Sequence, residues 1–480
     1  MASIRQETLN SVKWTSVEKF ALQGMHFVMG LIMARLLSPS DYGTVAMLGV
    51  FMAVSITFVD SGFSNALTRK LDRTEVDYST IFYFNVIVAL LFYIILFFIA
   101  PWVAAFFNSP ILCDILRIQA ISLIINSFIQ IQVTKLIIEL NFKALAIRSI
   151  LATFISGIVG ILLASYGFGV WALVFQGLIF AIVNALFIIV YCHWKPLFIF
   201  SKKSFIELGS YGSKLLASSL LHTIHSELTS IIIGRFYSSK DLGYYNRGTQ
   251  FAALPMMTFN SIIDRVTFPI LVKLQNDDNR LIEVYRKYIC IASLAIFFGC
   301  TMIAALAKPI IIILLTEKWA ESIVYLQIYA FAVMFTHIND INLKLLQVKG
   351  RSDLFLKLEI IKKTLSITML FSAIPFGIIG ICFSKLIYCQ IAIVINTYNT
   401  GKLFGLGYFK QIKDFSIYLF FSILACLPAF VITNLGFPNF ISLIFGCITC
   451  PLIYYFLLRK DPNMKYIVSI ITNKVKKRYV

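Results

Sequence analysis

The chain has 480 residues, of which 59% are apolar and 14% charged, and its formal net charge is +19. A soluble domain carries roughly a quarter of its residues as Asp, Glu, Lys or Arg, because its surface faces water. The composition therefore excludes a soluble enzyme, a disordered chain and a secreted disulfide scaffold; at about 20 residues per crossing it suits roughly fourteen transmembrane helices. The basic surplus lies mainly in short segments between apolar runs, which points to a membrane surface rather than to nucleic acid.

In chain order the apolar runs fall near 14–36, 43–67, 80–107, 111–135, 146–166, 168–193, 211–236, 243–271, 286–315, 321–346, 355–375, 376–399, 414–434 and 438–458. The first run contains Glu18 and Lys19 and has no small-residue cleavage site, so it is expected to remain as a span. The connections are too short to house a soluble catalytic domain. All five Trp (14, 102, 171, 194, 319) fall near span ends, where an indole ring prefers the interface. The nine cysteines lie almost entirely in apolar runs, and their odd number argues against a disulfide framework. Cys447 and Cys450 form a CxxC without a second pair or a nearby His, and read as small helix residues rather than as a metal site.

Alternate connections differ in charge. One side collects Arg69, Lys70, Arg73, Lys143, Lys195, Lys202, Lys203, Lys273, Arg280, Arg286, Lys287, Lys349, Arg351, Lys402, Lys410 and the tail Lys474, Lys476, Lys477 and Arg478; the other has little beyond Arg35, Lys240, Lys308 and Lys318. By the positive-inside rule both termini are expected in the cytoplasm.

The chain also repeats itself. Ala34–Gly43 aligns with Gly234–Gly243 through a shared R-x-x-S-x-x-D-x-G, Asp60-Ser61 falls on Asn260-Ser261, and after a short shift Gln119 falls on Gln327 and Phe168-Gly169-Val170 on Phe376-Gly377-Ile378. Six crossings separate equivalent positions, so the copies are expected to be parallel, with a substrate path between them. The shared motif reads as a turn between two spans, its Arg snorkelling to the interface.

Polar side chains at bilayer depth are costly and mark a cavity or a partner. Ser16, Lys19, Gln23 and His26 form one helical stripe in the first span, and Lys214, Ser218, His222 and His225 form another in the seventh. Further stripes hold Thr57, Asp60 and Ser64; Ser122, Asn126, Gln130 and Thr134; Arg247, Gln250, Ser261 and Asp264; and His337, Asp340 and Lys344. Together they describe a hydrated cavity whose central cations, Lys19, Lys214 and Arg247, suit an anionic head group such as a pyrophosphate. Against this, Lys19 can pair with Glu18, and Arg247 can sit at the outer interface. His222, His225 and Glu227 read as cavity lining before metal or proton coupling. Glu359, Lys362 and Lys363 read as snorkelling residues near the cytoplasmic face.

At Arg35-Leu36-Leu37-Ser38-Pro39-Ser40-Asp41-Tyr42-Gly43, with Asp60-Ser61-Gly62-Phe63 after it, the chain resembles the Wzx/WzxC-type polysaccharide-exporting flippases of the multidrug/oligosaccharidyl-lipid/polysaccharide (MOP) exporter superfamily. Leu242–Arg247, Phe268-Pro269, Gly350–Asp353 and Leu358–Lys363 add to the likeness, which extends over nearly the first 400 residues. The resemblance implies two six-helix bundles around a V-shaped cavity. It also implies alternating access that carries undecaprenyl-pyrophosphate-linked oligosaccharide across the cytoplasmic membrane for surface polysaccharide or lipopolysaccharide biosynthesis. In related lipid II flippases an acidic/basic pair in the first helix and an Arg in the eighth are thought to contact the pyrophosphate. The matching positions are Glu18, Lys19 and Arg247, with the pair in the other order and Lys in place of Arg.

The expected protein is thus an all-α, multi-pass protein of the bacterial inner membrane, divided into lobes 1–200 and 201–400 and a segment 401–480 with two more helices and a basic tail. It is expected to be a transporter, not an enzyme, without a bound cofactor; Na+, H+ or the membrane potential is left open as the driving force. Its expected partners are the lipid-linked oligosaccharide, membrane lipids and the polymerase and glycosyltransferases of the same pathway, and not nucleic acid. The alternatives are a cation-coupled multidrug exporter of the same superfamily and a membrane polymerase or ligase.

Overall fold

A computed structural model describes the backbone of residues 2–60 and 62–476, and within these the side chains of all but 2–10, 12, 260–266, 269 and 470–476. Every regular element among the described residues is helical. That follows from the solvent: in lipid no water pairs with backbone N–H and C=O groups, and a helix satisfies them within one segment. In chain order the elements are α1 (Ala2–Leu36), α2 (Pro39–Met47), α3 (Gly49–Asp60), α4 (Phe63–Arg69), α5 (Glu75–Phe106), α6 (Ile111–Gln119), α7 (Ile121–Ser127), α8 (Gln130–Ile138), α9 (Phe142–Ser165), α10 (Val170–Cys192), α11 (Lys202–Phe236) and α12 (Ser239–Lys273). Then come α13 (Asp278–Ala305), α14 (Ala307–Leu315), α15 (Ser322–Val333), α16 (Thr336–Val348), α17 (Ser352–Ser372), α18 (Gly377–Phe404), α19 (Tyr408–Asn434), α20 (Asn439–Leu458) and α21 (Pro462–Lys476).

Among the described residues, 9 helices are long and apolar enough to cross a membrane, and up to 11 segments if each of two bent pairs is one span. The helices α11, α12 and α17 match the other expected spans in position and length, and their polar side chains separate them from the rest. The order of expected spans is thus reproduced, with two refinements. The second span is built from α2, α3 and α4, and the fourth from α6, α7 and α8, so the polar stripe Ser122-Asn126-Gln130-Thr134 does not run along one straight helix. A 43° bend separates its first two members from its last two.

The chain divides into two compact units, Met1–Gly243 and Tyr244–Val480. In the first, α1 packs along α9, α9 along α10, and α11 along α3 and α4. Phe63, Leu67, Tyr78, Ile81, Phe82, Ile131 and Leu208 fill one core between α4, α5, α8 and α11. In the second, α13 packs on α15 and α19, α18 on α15, α16 and α17, and α20 on α19 and α14. The last helices are tied in by specific contacts: the Tyr454 hydroxyl donates to the Leu294 carbonyl at 2.8 Å, and the Tyr454 ring stacks on Phe298 at 4.5 Å. The basic tail begins as α21, whose Tyr466 ring carries Lys287 of α13 at 4.4 Å. Lys474 and Lys476 lie outside the described side chains, and Lys477 and Arg478 outside the described residues.

Candidate functional site

The repeated motif is a helix start. Ser38 caps α2 in a capping box with Asp41: the Asp41 N–H donates to Ser38 Oγ, and the Ser38 N–H donates to the Asp41 carboxylate at 2.8 Å. Ser238 and Asp241 form the same pair. This pairing satisfies N–H groups that would otherwise be orphaned, and it lets the chain turn 117° between α1 and α2. The glycines serve proximity. A Cβ on Gly43 would lie 1.6 Å from the Ser239 carbonyl oxygen, and one on Gly243 would lie 1.9 Å from that of Pro39. Ser40 Oγ and Ser239 Oγ meet at 2.7 Å.

Asp60 and Gln130, read from the sequence as members of different stripes, meet. Asp60 ends α3 near the middle of the Gly49–Arg69 span, where the helix breaks at Gly62 (φ 69°) before resuming as α4. The Gln130 side-chain amide donates to Asp60 Oδ1 at 2.8 Å and the Ser64 hydroxyl donates to the same oxygen at 2.9 Å. The break is packed against α11: a Cβ on Gly62 would lie 2.9 Å from the Gly212 carbonyl oxygen, and Thr57 and Thr223 hydroxyls meet at 3.2 Å. A half-buried carboxylate at a helix break, fed by neutral donors, is suited to sugar hydroxyls or to a small cation.

Lys19, Gln23 and His26 project from α1, and Lys214 and His222 from α11, all with exposed side chains. Glu18, His225 and Asn126 are half-buried. Glu18 acts electrostatically on Arg148 of α9. Arg148 belongs to none of the polar stripes, and its one signal in the sequence is that it stands as a lone Arg in the apolar run 146–166. Its Nε is buried and, among the described residues, lacks a hydrogen-bond partner. Glu227 of α11 was read only beside the histidines. It lies instead against α3, its carboxylate 3.2 Å from where a Cβ of Gly49 would be.

In the second unit, Arg247 Nη1 donates to Gln250 Oε1 at 2.8 Å, and the guanidinium lies 5.8 Å from the Trp319 ring. Asp340 is half-buried on α16, whereas His337 is fully buried and structural, its Nε2 2.9 Å from Ser293 Oγ and its Nδ1 2.6 Å from the Met334 carbonyl. Ser261 and Asp264 lie outside the described side chains. Lys362, expected to snorkel, is buried and paired with Glu359 at 2.5 Å. Among the described residues no three His, Cys, Asp or Glu side chains converge.

Long apolar helices with charged and amide side chains set within them define a polytopic membrane protein with polar groups at bilayer depth. Residues 32–324, more than half of the chain, match the polysaccharide biosynthesis protein family, and the chain belongs to that family. It is similar to the teichuronic acid biosynthesis protein TuaB of Bacillus subtilis, 24% identical over 377 residues covering 74% of each chain. It is also similar to the lipopolysaccharide biosynthesis protein WzxC of Escherichia coli, 22% identical over 421 residues, 86% of this chain and 82% of that one. The resemblance read from the motifs is thereby borne out. Among solved structures the fold matches the lipid II flippase MurJ in an inward closed conformation, with a TM-score of 0.72 at 14% identity over 94% of this chain and 99% of that one. A multidrug resistance MATE family transporter in an inward-facing conformation follows at 0.62 and 14% identity, over 79% and 94%.

Proposed function

We propose that the chain is a flippase that carries an undecaprenyl-pyrophosphate-linked oligosaccharide across the cytoplasmic membrane for surface polysaccharide biosynthesis. Family membership and a fold shared with a lipid II flippase support the substrate class. The observation that carries the reading is the set of cations placed inside spans, Lys19 on α1 and Lys214 on α11, both with exposed side chains, and Arg247 on α12. A charge at that depth is costly unless it meets a partner, and a pyrophosphate supplies one.

In this reading Lys19, Lys214 and Arg247 hold the pyrophosphate, and Arg148, with its Nε unspent, adds a donor next to Glu18. Gln23, His26, Asp60, Asn126, Gln130, His222, His225, Asp264 and Asp340 offer hydroxyl-binding groups to the sugars or a site for a coupling cation. The polyprenyl tail stays in lipid. No bond is broken, so no catalytic group is required. Lobes 1–200 and 201–400 then alternate in exposure about an axis along the membrane normal, with 401–480 an addition to the second lobe. Both termini lie in the cytoplasm, and the polymerase and glycosyltransferases of the pathway act before and after this step. The MATE-like fold favours one second reading, a cation-coupled drug exporter, and the same cations weigh against it, because they suit an anionic cargo.

The test is charge reversal. Lys214→Glu and Arg247→Glu are expected to abolish complementation of a flippase-deficient strain while the variant proteins still accumulate in the membrane. Normal surface polysaccharide from both variants would sink the pyrophosphate assignment. Export of lipophilic cations in place of glycolipid would favour the second reading.

A further inference from the structure

A cavity of about 270 Å³ lies in the first unit where α8 and α10 end, lined by Lys135, Leu136, Glu139, Asn141, Tyr191 and Trp194. Its depth can be read from the segment that follows. Residues 193–201 are not helical. The Leu197 N–H donates to Ser79 Oγ at 2.9 Å and the Ser201 N–H to Thr80 Oγ1 at 3.0 Å, which pins the segment's second half to α5. In this pinned stretch the side chains of Leu197, Phe198, Ile199 and Phe200 remain exposed, Phe198 at 98%. Lys195, Lys202 and Lys203 flank them. Apolar side chains fixed outward beside lysines belong at the boundary between acyl chains and head groups, and Trp194 and Tyr191 on the cavity wall are residue types that favour that depth.

Most of the polar wall is already engaged within the protein. Lys135 Nζ is held by Glu75 at 2.7 Å and lies 4.6 Å and 5.2 Å from the Tyr78 and Trp194 rings. The Trp194 indole N–H donates to Glu75 at 2.6 Å, and Asn141 Nδ2 donates to the Tyr191 hydroxyl at 3.0 Å. Glu139 differs: its side chain is exposed on the rim, and among the described residues no side chain hydrogen-bonds or pairs with it. The Tyr191 hydroxyl accepts from Asn141 and keeps its own hydrogen to give. The unspent chemistry is therefore one carboxylate for a cation, with one O–H beside it for an anion.

We propose that this cavity binds the head group of an aminophospholipid of the phosphatidylethanolamine type. The primary ammonium meets Glu139, and the phosphodiester meets the Tyr191 hydroxyl. A free carboxylate at head-group depth disfavours anionic lipids, and a quaternary ammonium has no N–H to give it. The lipid is held whether or not the chain flips glycolipid, so the two readings stand or fall separately.

The experiment titrates the full chain, purified in detergent, with phosphatidylethanolamine, phosphatidylcholine and phosphatidylglycerol, and counts retained lipid by native mass spectrometry. One phosphatidylethanolamine is expected to be retained in preference. Glu139→Gln should weaken it about tenfold, the equivalent of one charge-assisted hydrogen bond. Glu139→Asp should restore part of the binding, and retention of the other two lipids should not change. Equal retention of all three lipids, a preference for phosphatidylglycerol, or phosphatidylethanolamine binding unaffected by Glu139→Gln overturns the proposal. Soluble phosphoethanolamine is the control: if it binds as tightly as the lipid, the ligand is a free metabolite and the lipid assignment falls.

Discussion

Asp60 illustrates what a single side chain can do in this protein. Its carboxylate is placed near mid-span and stabilised by two neutral donors, so each donor matters more than it would at a surface. Gln130→Leu removes one partner and leaves the carboxylate short of a hydrogen bond, a loss of about 1–3 kcal/mol. The expected result is a lower unfolding midpoint in detergent and weakened export, with Gln130→Asn between the two; an unchanged midpoint in Gln130→Leu would separate Asp60 from Gln130 in solution. Lys70, outside the spans, gives a pH signature. Burial works against its charge, but hydrogen bonds and charges of Glu207 (3.1 Å) and Asp77 (3.2 Å) outweigh that and raise its pKa above the ordinary 10.5. A raised folded-state value stabilises fully below the ordinary lysine range and is lost as pH rises through the folded value. Wild type is therefore expected to lose stability in strongly alkaline buffer by a component absent from Lys70→Gln, measured as the difference between their unfolding midpoints across pH. The helical spacing of Asp60 and Gln130 was legible in the sequence, because a period of 3.6 is a local property. Their meeting was not, since it is made where α4 packs on α8 and α3 on α7, and Arg148 forms no stripe that a period could reveal.

The elements show how local rules hold the bends. The R-x-x-S-x-x-D-x-G repeat reads in sequence as a turn; in the structure its Ser and Asp cap a helix and its Gly lets one copy touch the other. The cap and the glycine predict different costs. Ser38→Ala removes the cap acceptor and is expected to cost about 1 kcal/mol, tolerable for folding. Gly43→Ala places a methyl group into the Ser239 carbonyl, a backbone atom that cannot rotate away. It should reduce the amount of folded protein in the membrane far more than Ser38→Ala, as read by protease resistance of the inserted chain; equal resistance of the two variants would show that α2 shifts freely. In the second unit, buried amides perform a similar joining. Gln411 Oε1 accepts from Asn342 Nδ2 at 2.9 Å, its Nε2 donates to the Leu406 carbonyl at 2.9 Å, and Asn339 Oδ1 accepts from Asn396 at 2.8 Å. Fully buried polar groups such as these fix register when satisfied. They bind α19, the first helix beyond the repeat, to α16 and α18, which no periodicity in the sequence could reveal.

For the whole molecule, the +19 charge is the property that most needs a location. A few of its 42 lysines and arginines are balanced near span ends: Lys70 by Asp77 and Glu207, Lys135 by Glu75, Arg286 by Asp414 at 2.5 Å, Lys349 by Asp278, and Arg351 by Asp353 at 2.9 Å. Pairs of this kind hold loops and helix ends together, whereas Lys195, Lys202 and Lys203, among others, form no ion pair among the described residues and can act on the membrane. These three flank the pinned apolar segment 197–200, so basic and outward apolar side chains meet at one place. Lysines near a span end resist transfer across the bilayer, and an excess on one side fixes which side remains in the cytoplasm. In a chain whose cysteines are replaced, Lys203→Cys is therefore expected to react with a membrane-impermeant maleimide only after the cytoplasmic face is opened, whereas Lys240→Cys, near the start of α12, should react in intact spheroplasts. The 35-residue helix α11, expected to cross the membrane once, separates the two positions. Labelling of position 203 from outside, with 240 protected, would invert the topology and with it the direction of the proposed transport.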